Sequence, residues 1–211
     1  MRKLTSLFLS MAVGPVVLAR PQDAHAGDGT IKQPGDHPMY KVEFEPHGLL
    51  GWEGPGYGGY TAGTGFGLGA RLSIPVWESP IKTLNNTIAI GIGLDWIHYS
   101  ADCYAYPTAL GGCYSYFSDV NRFLLPVVAQ WNFYVAKNWS VFGEPGLALY
   151  HDFYSCNQPP GTPAGYGCGV YGSTTGVLPV FYVGGRYHFN EHVTLTMRVG
   201  YPTISVGASF M

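Results

Sequence analysis

The stretch NRFLLPVVAQWNFYVA, residues 121–136, carries an apolar side chain at every second position. The residues from Phe123 to Val135 that share one parity are all apolar, whereas Arg122 and Asn132 lie on the other parity. Successive side chains of a β-strand point to opposite faces, so a period of two predicts a strand with one apolar and one polar face.

The same alternation recurs along the chain and predicts an all-β fold of eight strands. The predicted strands are Tyr40–Glu53, Tyr60–Val76, Thr87–Ser100, Asn121–Ala136, Trp139–Tyr150, Val177–Phe189, His192–Tyr201 and Thr203–Met211. Two-residue turns at 137–138 and 190–191 fall at one end, and long segments near 101–120 and 152–176 fall at the other. Short turns at one end and long loops at the other are typical of an antiparallel up-and-down transmembrane barrel.

The charged residues of these segments share the face opposite to the apolar one. Charge on the lipid-facing wall costs about 2–4 kcal/mol for Arg or Lys near the midplane, so we place this face inside the barrel. An eight-stranded barrel is just wide enough for its side chains to fill it, which favours a structural network of paired charges; a narrow pore remains the alternative. The predicted interior charges are Lys41, Glu43, Glu45, Glu53, Arg71, Asp95, Arg122, Glu144, Arg186 and Arg198.

The composition agrees with a membrane barrel. Only 11% of the 211 residues are charged and 15% are aromatic, whereas roughly a quarter of a typical soluble domain is charged. The formal net charge of −2 gives no basic footprint for nucleic acid. The histidines and cysteines show no metal-ligand spacing, so we predict no metal and no cofactor.

The first 26 residues have the features of a cleaved signal peptide. Arg2 and Lys3 precede a mostly apolar run, and Ala24-His25-Ala26 fits the small-x-small cleavage rule. Residues 27–39 are then predicted to be a flexible periplasmic lead-in, and residues 40–211 the barrel. A signal peptide followed by a membrane barrel predicts export to the outer membrane of a Gram-negative bacterium.

The four cysteines form two local pairs, each within one long loop. Nine residues separate Cys103 from Cys113 and eleven separate Cys156 from Cys168. Export implies an oxidising compartment, and a disulfide needs its Cα atoms within about 7 Å. We therefore predict the bonds Cys103–Cys113 and Cys156–Cys168, each closing one external loop.

Two stretches resemble strands of a known group. Val141–Leu147, VFGEPGL, and the closing Arg198–Phe210, RVGYPTISVGASF, are similar to strands of small eight-stranded outer-membrane barrels, the group that includes the OmpA transmembrane domain and its virulence-associated relatives. The resemblance implies a monomer surrounded by outer-membrane lipid and lipopolysaccharide. It also implies a final strand that the barrel assembly machinery recognises by its terminal aromatic residue; here Met211 follows Phe210.

One short motif suggests chemistry. His98 and Ser100 resemble the His-x-Ser pair that outer-membrane lipid A deacylases carry on their lipid-facing wall, although Ala101 stands where that motif has Asn. An interfacial polar pair without a catalytic role is the interpretation we favour. The leading function is thus non-enzymatic: a structural or surface-interaction role through the external loops, followed by a narrow pore and then a lipid-modifying enzyme.

Overall fold

The described residues of this computed structural model are 30–52, 54, 56–57, 60–61, 63–100, 119–155 and 172–211. They contain a short 3-10 helix, Thr30–Lys32, and ten strands. The strands are β1 Glu43–Gly51, β2 Gly56–Tyr57, β3 Tyr60–Thr61, β4 Gly65–Glu78, β5 Asn86–Ser100, β6 Asp119–Ala136, β7 Trp139–Ser155, β8 Ser173–His188, β9 Val193–Tyr201 and β10 Thr203–Phe210. No helix in this part of the chain is long and apolar enough to cross a membrane.

Eight of the strands close into one antiparallel barrel. Their order is β1-β10-β9-β8-β7-β6-β5-β4, and β4 pairs back onto β1; β2 and β3 form a separate two-stranded sheet. Closure leaves no sheet edge with unpaired backbone groups, which is the condition for β-structure inside a lipid bilayer. The predicted eight-stranded up-and-down barrel is confirmed.

The two faces of the barrel wall are assigned as the sequence predicts. Leu68, Leu125, Leu147 and Val183 are exposed on the outside, and Leu68 has an exposed fraction of 67%. Along β6 the residues alternate strictly between exposed and buried from Arg122 to Asn132. The exterior is therefore an apolar surface suited to lipid, and the side chains of the opposite parity fill the interior.

We call the end of the barrel that carries residues 30–42 and the turns at 137–138 and 189–192 the near end, and the opposite end the far end. At the far end, β6, β7 and β8 extend beyond the predicted limits, whereas β1 stops at Gly51 instead of Glu53 and β4 starts at Gly65 instead of Tyr60, because residues 60–61 belong to the separate sheet of β2 and β3. β7 continues to Ser155, where it pairs with Asp119, and β8 starts at Ser173, opposite Phe153. The far-end connections shorten accordingly, to residues 101–118 and 156–172.

Residues 30–39, which belong to the segment 27–39 predicted to be a flexible lead-in, pack against the near end of the barrel. The backbone N–H of Asn85 donates to the carbonyl oxygen of Ile31 at 2.7 Å, and its side-chain amide donates to that of Asp36 at 2.7 Å. The ring of His37 stacks on Tyr134 with centroids 4.6 Å apart. These contacts hold the segment across the mouth of the barrel.

Candidate functional site

A cluster of four charged side chains crosses the middle of the barrel interior. Glu144 accepts hydrogen bonds from Arg71 Nη1 at 2.6 Å and from Arg198 Nε at 3.0 Å. Arg198 also forms a bidentate ion pair with Glu45, in which Nη2 and Oε2 are 2.8 Å apart. We call these four residues the central charge cluster. Two cations and two anions meet there, so the cluster is neutral in formal charge.

Two polar neighbours complete the hydrogen bonding of the two carboxylates. Gln130 donates to Glu144, and the hydroxyl of Ser209 donates to Glu45 Oε2 at 3.0 Å. The cluster and these two partners come from β1, β4, β6, β7, β9 and β10. Buried charges are tolerated only when paired and hydrogen-bonded, and this network of six strands meets that condition for both carboxylates.

A second charged pair lies nearer the near end. Arg186 Nη2 is 3.2 Å from Glu43 Oε1, an ion pair without hydrogen-bond geometry, and Arg186 Nη1 donates to Asn132 Oδ1 at 2.7 Å. The ring of Phe142 lies between two guanidinium groups, 4.6 Å from that of Arg186 and 5.2 Å from that of Arg198. Cation–π contact thus connects this pair to the central charge cluster.

His47 and Asp95 form a third interior pair. His47 Nε2 is 3.0 Å from Asp95 Oδ1, and His47 Nδ1 is 3.6 Å from Glu45 Oε1. The pair depends on a glycine beside it, because a methyl group on Gly69 would lie 2.5 Å from His47 Nε2. The alternation predicts Asp95 inside the barrel but does not indicate His47 as its partner.

The fourth pair lies toward the far end and was missed from the sequence. Arg122 donates from Nε to Asp152 Oδ1 at 2.6 Å and from Nη2 to Oδ2 at 2.8 Å, and its guanidinium lies 4.9 Å from the ring centre of Tyr150. The sequence predicts Asp152 in an external loop, because the apolar alternation ends at Tyr150. The extension of β7 to Ser155 turns the Asp152 side chain into the interior instead.

Not every predicted interior charge belongs to this set. Lys41 has the predicted parity but precedes β1 and is exposed at the near end, beyond the barrel wall, so it makes no part of the network. Glu53 lies outside the described residues. The eight remaining predicted charges are all buried: Glu43, Glu45, Arg71, Asp95, Arg122, Glu144, Arg186 and Arg198.

Toward the far end an apolar cluster packs beside the Arg122–Asp152 pair, and the sequence pattern did not predict it. Leu49, Ile97, Leu124 and Val128 are buried there and pack together with Tyr99. The cluster is completed by Val120, Ala148, Leu178, Val180 and Tyr182. The interior therefore combines charged pairs and apolar packing along one axis.

His98 lies on the outer wall at the far end, as its parity predicts. Its Nδ1 is 3.1 Å from Asn121 Oδ1, and its Nε2 is 3.8 Å from Asp119 Oδ1. Ser100 is exposed and makes no hydrogen bond with His98. Both ring nitrogens therefore face other side chains, and neither is placed to take a proton from the serine hydroxyl.

The two predicted disulfides and the predicted absence of a metal all stay predictions. Cys103, Cys113, Cys156 and Cys168 all lie outside the described residues, so both disulfides stay predictions. Within the residues that the structure describes, no three His, Cys, Asp or Glu side chains come close enough together to hold a metal ion.

Comparison with solved structures identifies barrels of the same size. The outer membrane protein OprG from Pseudomonas aeruginosa is 10% identical, with a TM-score of 0.50, and the match covers 83% of this chain and 97% of that chain. Ail, the attachment invasion locus protein of Yersinia pestis, is 13% identical, with a TM-score of 0.47 over 82% of this chain and 99% of that one.

A third similar structure is Neisserial surface protein A, at 13% identity and a TM-score of 0.47, with 81% of this chain and 99% of that chain covered. No family model and no curated protein sequence matches the chain. At these identities the likeness concerns the fold alone. The closed antiparallel barrel and its match to OprG show that this chain has the fold of the small eight-stranded outer-membrane β-barrels.

Proposed function

We propose that the protein is a sealed outer-membrane barrel that serves as a rigid membrane anchor for its far-end loops, through which it makes contacts at the cell surface. The observation that carries this proposal is the central charge cluster. Its carboxylates are held by Arg71, Arg198, Gln130 and Ser209 from different strands, and side chains that meet across the barrel axis in this way support a closed interior.

Two other layers support a sealed interior. The apolar cluster around Leu124 and Ile97 opposes the passage of ions, because an ion that crosses apolar packing loses its hydration without compensation. At the near end, residues 30–42 lie across the mouth. A pore would need all three obstacles to move together, which makes solute conduction the weaker candidate.

Planar-bilayer conductance of the purified protein tests the sealed interior. The sample must first show the faster migration of unheated protein on a gel, which identifies the folded barrel. We expect no steady single-channel steps in 1 M salt. Steady steps whose size changes in the variant Arg198→Gln would contradict the proposal and would support the narrow pore instead.

Display of the far-end loops at the cell surface is tested separately. An epitope inserted after residue 108 should be detected by antibody on intact cells. An epitope inserted at the near-end turn, after Lys137, should be detected only after the outer membrane is permeabilised. The reverse pattern would show that the far end faces the periplasm, and the proposed role in surface contact would then be withdrawn.

The proposed role is not enzymatic. The geometry of His98 supports this, because its nitrogens face Asn121 and Asp119 rather than Ser100. Expression of the protein in a host with a defined lipid A should leave the lipid A mass unchanged. A mass loss equal to one acyl chain that disappears in the variant Ser100→Ala would overturn this part of the proposal.

A further inference from the structure

Seven buried polar atoms without a hydrogen-bond partner lie on five residues at the near end of the interior. They are the Tyr40 hydroxyl, both carboxylate oxygens of Glu43, Nε and Nη2 of Arg186, Nδ1 of His188 and the hydroxyl of Thr194. We call these five residues the near-end polar site. Nearly all buried polar groups of native proteins are satisfied, by the protein or by ordered water, because an unpaired group costs free energy. The concentration of open atoms therefore indicates a ligand other than a protein side chain.

The strand pairing and the charge contacts bring these residues together. Thr194 of β9 lies directly opposite His188 of β8 in the barrel register. Arg186 Nη2 lies 3.2 Å from Glu43 Oε1, and Glu43 begins β1, shortly after Tyr40. Burial and the nearby carboxylate of Glu43 raise the pKa of Tyr40 well above its ordinary value. The Tyr40 hydroxyl therefore stays neutral and can both donate and accept a hydrogen bond.

The direct contacts of the site leave both donors and acceptors open. Among the described residues, Arg186 donates a hydrogen bond only from Nη1, to Asn132, and His188 uses only Nε2, which is 3.0 Å from the hydroxyl of Ser140. Arg186 and Glu43 offset each other in formal charge, so the site needs no ion for neutrality. A neutral ligand that both donates and accepts fits this set of atoms. Water has these properties, and a bridging water is nearly as favourable as a direct hydrogen bond.

The site lies between a groove at the barrel mouth and the central charge cluster. The groove has a volume of about 770 Å³ and spans the mouth from the segment before β1 to the β6–β7 turn, and Tyr40 is part of its lining. Solvent in the groove is thus adjacent to the site. On the other side, Ser209 lies opposite Thr194 in the register and donates to Glu45 of the central charge cluster. The near-end polar site therefore connects the solvent at the mouth to that cluster.

We propose that the near-end polar site binds a cluster of ordered water molecules, which bridges the Glu43 carboxylate to the Arg186 guanidinium and to the hydroxyls of Tyr40 and Thr194. A buried water makes about three hydrogen bonds, so about two or three waters satisfy the seven open atoms. The waters join the solvent in the groove and end at the central charge cluster, so the interior is hydrated from the near end only. This inference rests on the proposed sealed barrel and adds a one-sided hydration site to it.

A crystal structure of the folded protein, at a resolution that shows ordered water, tests the site directly. We expect waters within hydrogen-bond distance of Glu43 and Arg186, each bonded to at least one further atom of the site. Crystals grown with bromide and with rubidium are the control for ions, because both ions scatter anomalously. Direct hydrogen bonds between Glu43 and Arg186 with no water beside them, or an anomalous peak at the site, would overturn the proposal.

Two threonines of β9 provide a matched pair of variants for a test in the membrane. Both are buried, but the hydroxyl of Thr196 is 2.8 Å from that of Ser209, whereas the hydroxyl of Thr194 has no partner among the described residues. If water binds Thr194, the variant Thr194→Val leaves that water short of a partner. It should then lower the urea midpoint of unfolding in vesicles, as Thr196→Val does. Removal of a hydroxyl that bonds to nothing would instead raise the midpoint, and that result would overturn the assignment of water to Thr194.

Radiolytic hydroxyl-radical footprinting in nanodiscs tests whether the water ends at the central charge cluster. Tyr134 and Tyr182 are both buried, with exposed fractions of 3% and 2%. The ring of Tyr134 lies 6.1 Å from that of His188, whereas Tyr182 belongs to the apolar cluster. Because radicals form from ordered water beside a side chain, Tyr134 should be oxidised at least about tenfold faster than Tyr182. Equal rates would contradict hydration from the near end only.

These outcomes separate the hydration site from the proposed function. A folded, non-conducting barrel whose near-end polar site holds no water contradicts only the hydration proposal. Protein that conducts while the crystal structure shows the waters in place contradicts only the sealed interior.

Discussion

The substitution Glu144→Gln tests whether the interior charges hold the barrel together. Glu144 has no exposed surface and accepts hydrogen bonds from Arg71 and Arg198. Glutamine keeps the volume of the side chain but removes one negative charge, which leaves two guanidinium groups facing the single carboxylate of Glu45. Removing one partner of a buried ion pair destabilises a protein by about 3–5 kcal/mol, because the remaining charge is buried without compensation. We expect a loss of that size.

Urea unfolding in lipid vesicles, followed by tryptophan fluorescence and by the unheated gel shift, measures this loss. The matched control is Glu78→Gln, which removes the same charge from an exposed position on β4 and should change the free energy of unfolding by less than about 0.5 kcal/mol. The double variant Glu144→Gln/Arg71→Gln restores neutrality, so it should be more stable than Glu144→Gln alone. A Glu144→Gln protein as stable as the Glu78→Gln control would refute the reasoning that these charges are buried and coupled.

Three further predictions concern the wall, the far-end pair and the loops. Leu125→Arg, on the lipid-facing middle third of β6, should cost about 2–4 kcal/mol in vesicle refolding, whereas Val135→Arg near the end of that strand should cost about 0–1; equal costs would contradict the depth assignment. Arg122→Gln should lower stability by about 3 kcal/mol, and adding Asp152→Asn should recover part of it; no recovery would show that the two side chains are not coupled. Reduction of the disulfides should leave the unheated gel shift intact. A non-reducing peptide map should give the two local bonds Cys103–Cys113 and Cys156–Cys168, and a disulfide that joins one loop to the other would contradict this pairing.

The wall of the barrel could be predicted from the sequence because only one face of it has a uniform chemistry. Every outward position of β6 from Phe123 to Val135 is apolar, and that regularity fixes both the strand and its face. The charged residues of the opposite face are then predicted to lie inside the barrel, because lipid excludes them. Strand number, order and the burial of residues such as Glu144 and Arg186 follow from this one contrast.

The interior contacts could not be predicted in the same way, because they join residues far apart in sequence. Glu45 meets Arg198 across 153 residues, and no local pattern encodes the strand stagger that brings them together. Asp152 was missed because β7 extends past the apolar alternation. The packing of residues 30–39 was missed because a polar segment with proline and glycine has no periodicity, although its backbone groups still find partners at Asn85.

The apolar cluster around Leu124 shows which part of the alternation pattern identifies a membrane barrel. Leu124 and Val128 share the inward parity of Arg122 and Gln130, so the inward face of a single strand passes from charged to apolar and back. The interior of a narrow barrel accepts either chemistry, provided that apolar groups pack and charges are paired. The lipid-facing wall, in contrast, tolerates only apolar side chains. The uniform outer face is thus the diagnostic feature, and since the interior is filled like a protein core, contacts with other molecules must be made at the two ends and along the outer wall.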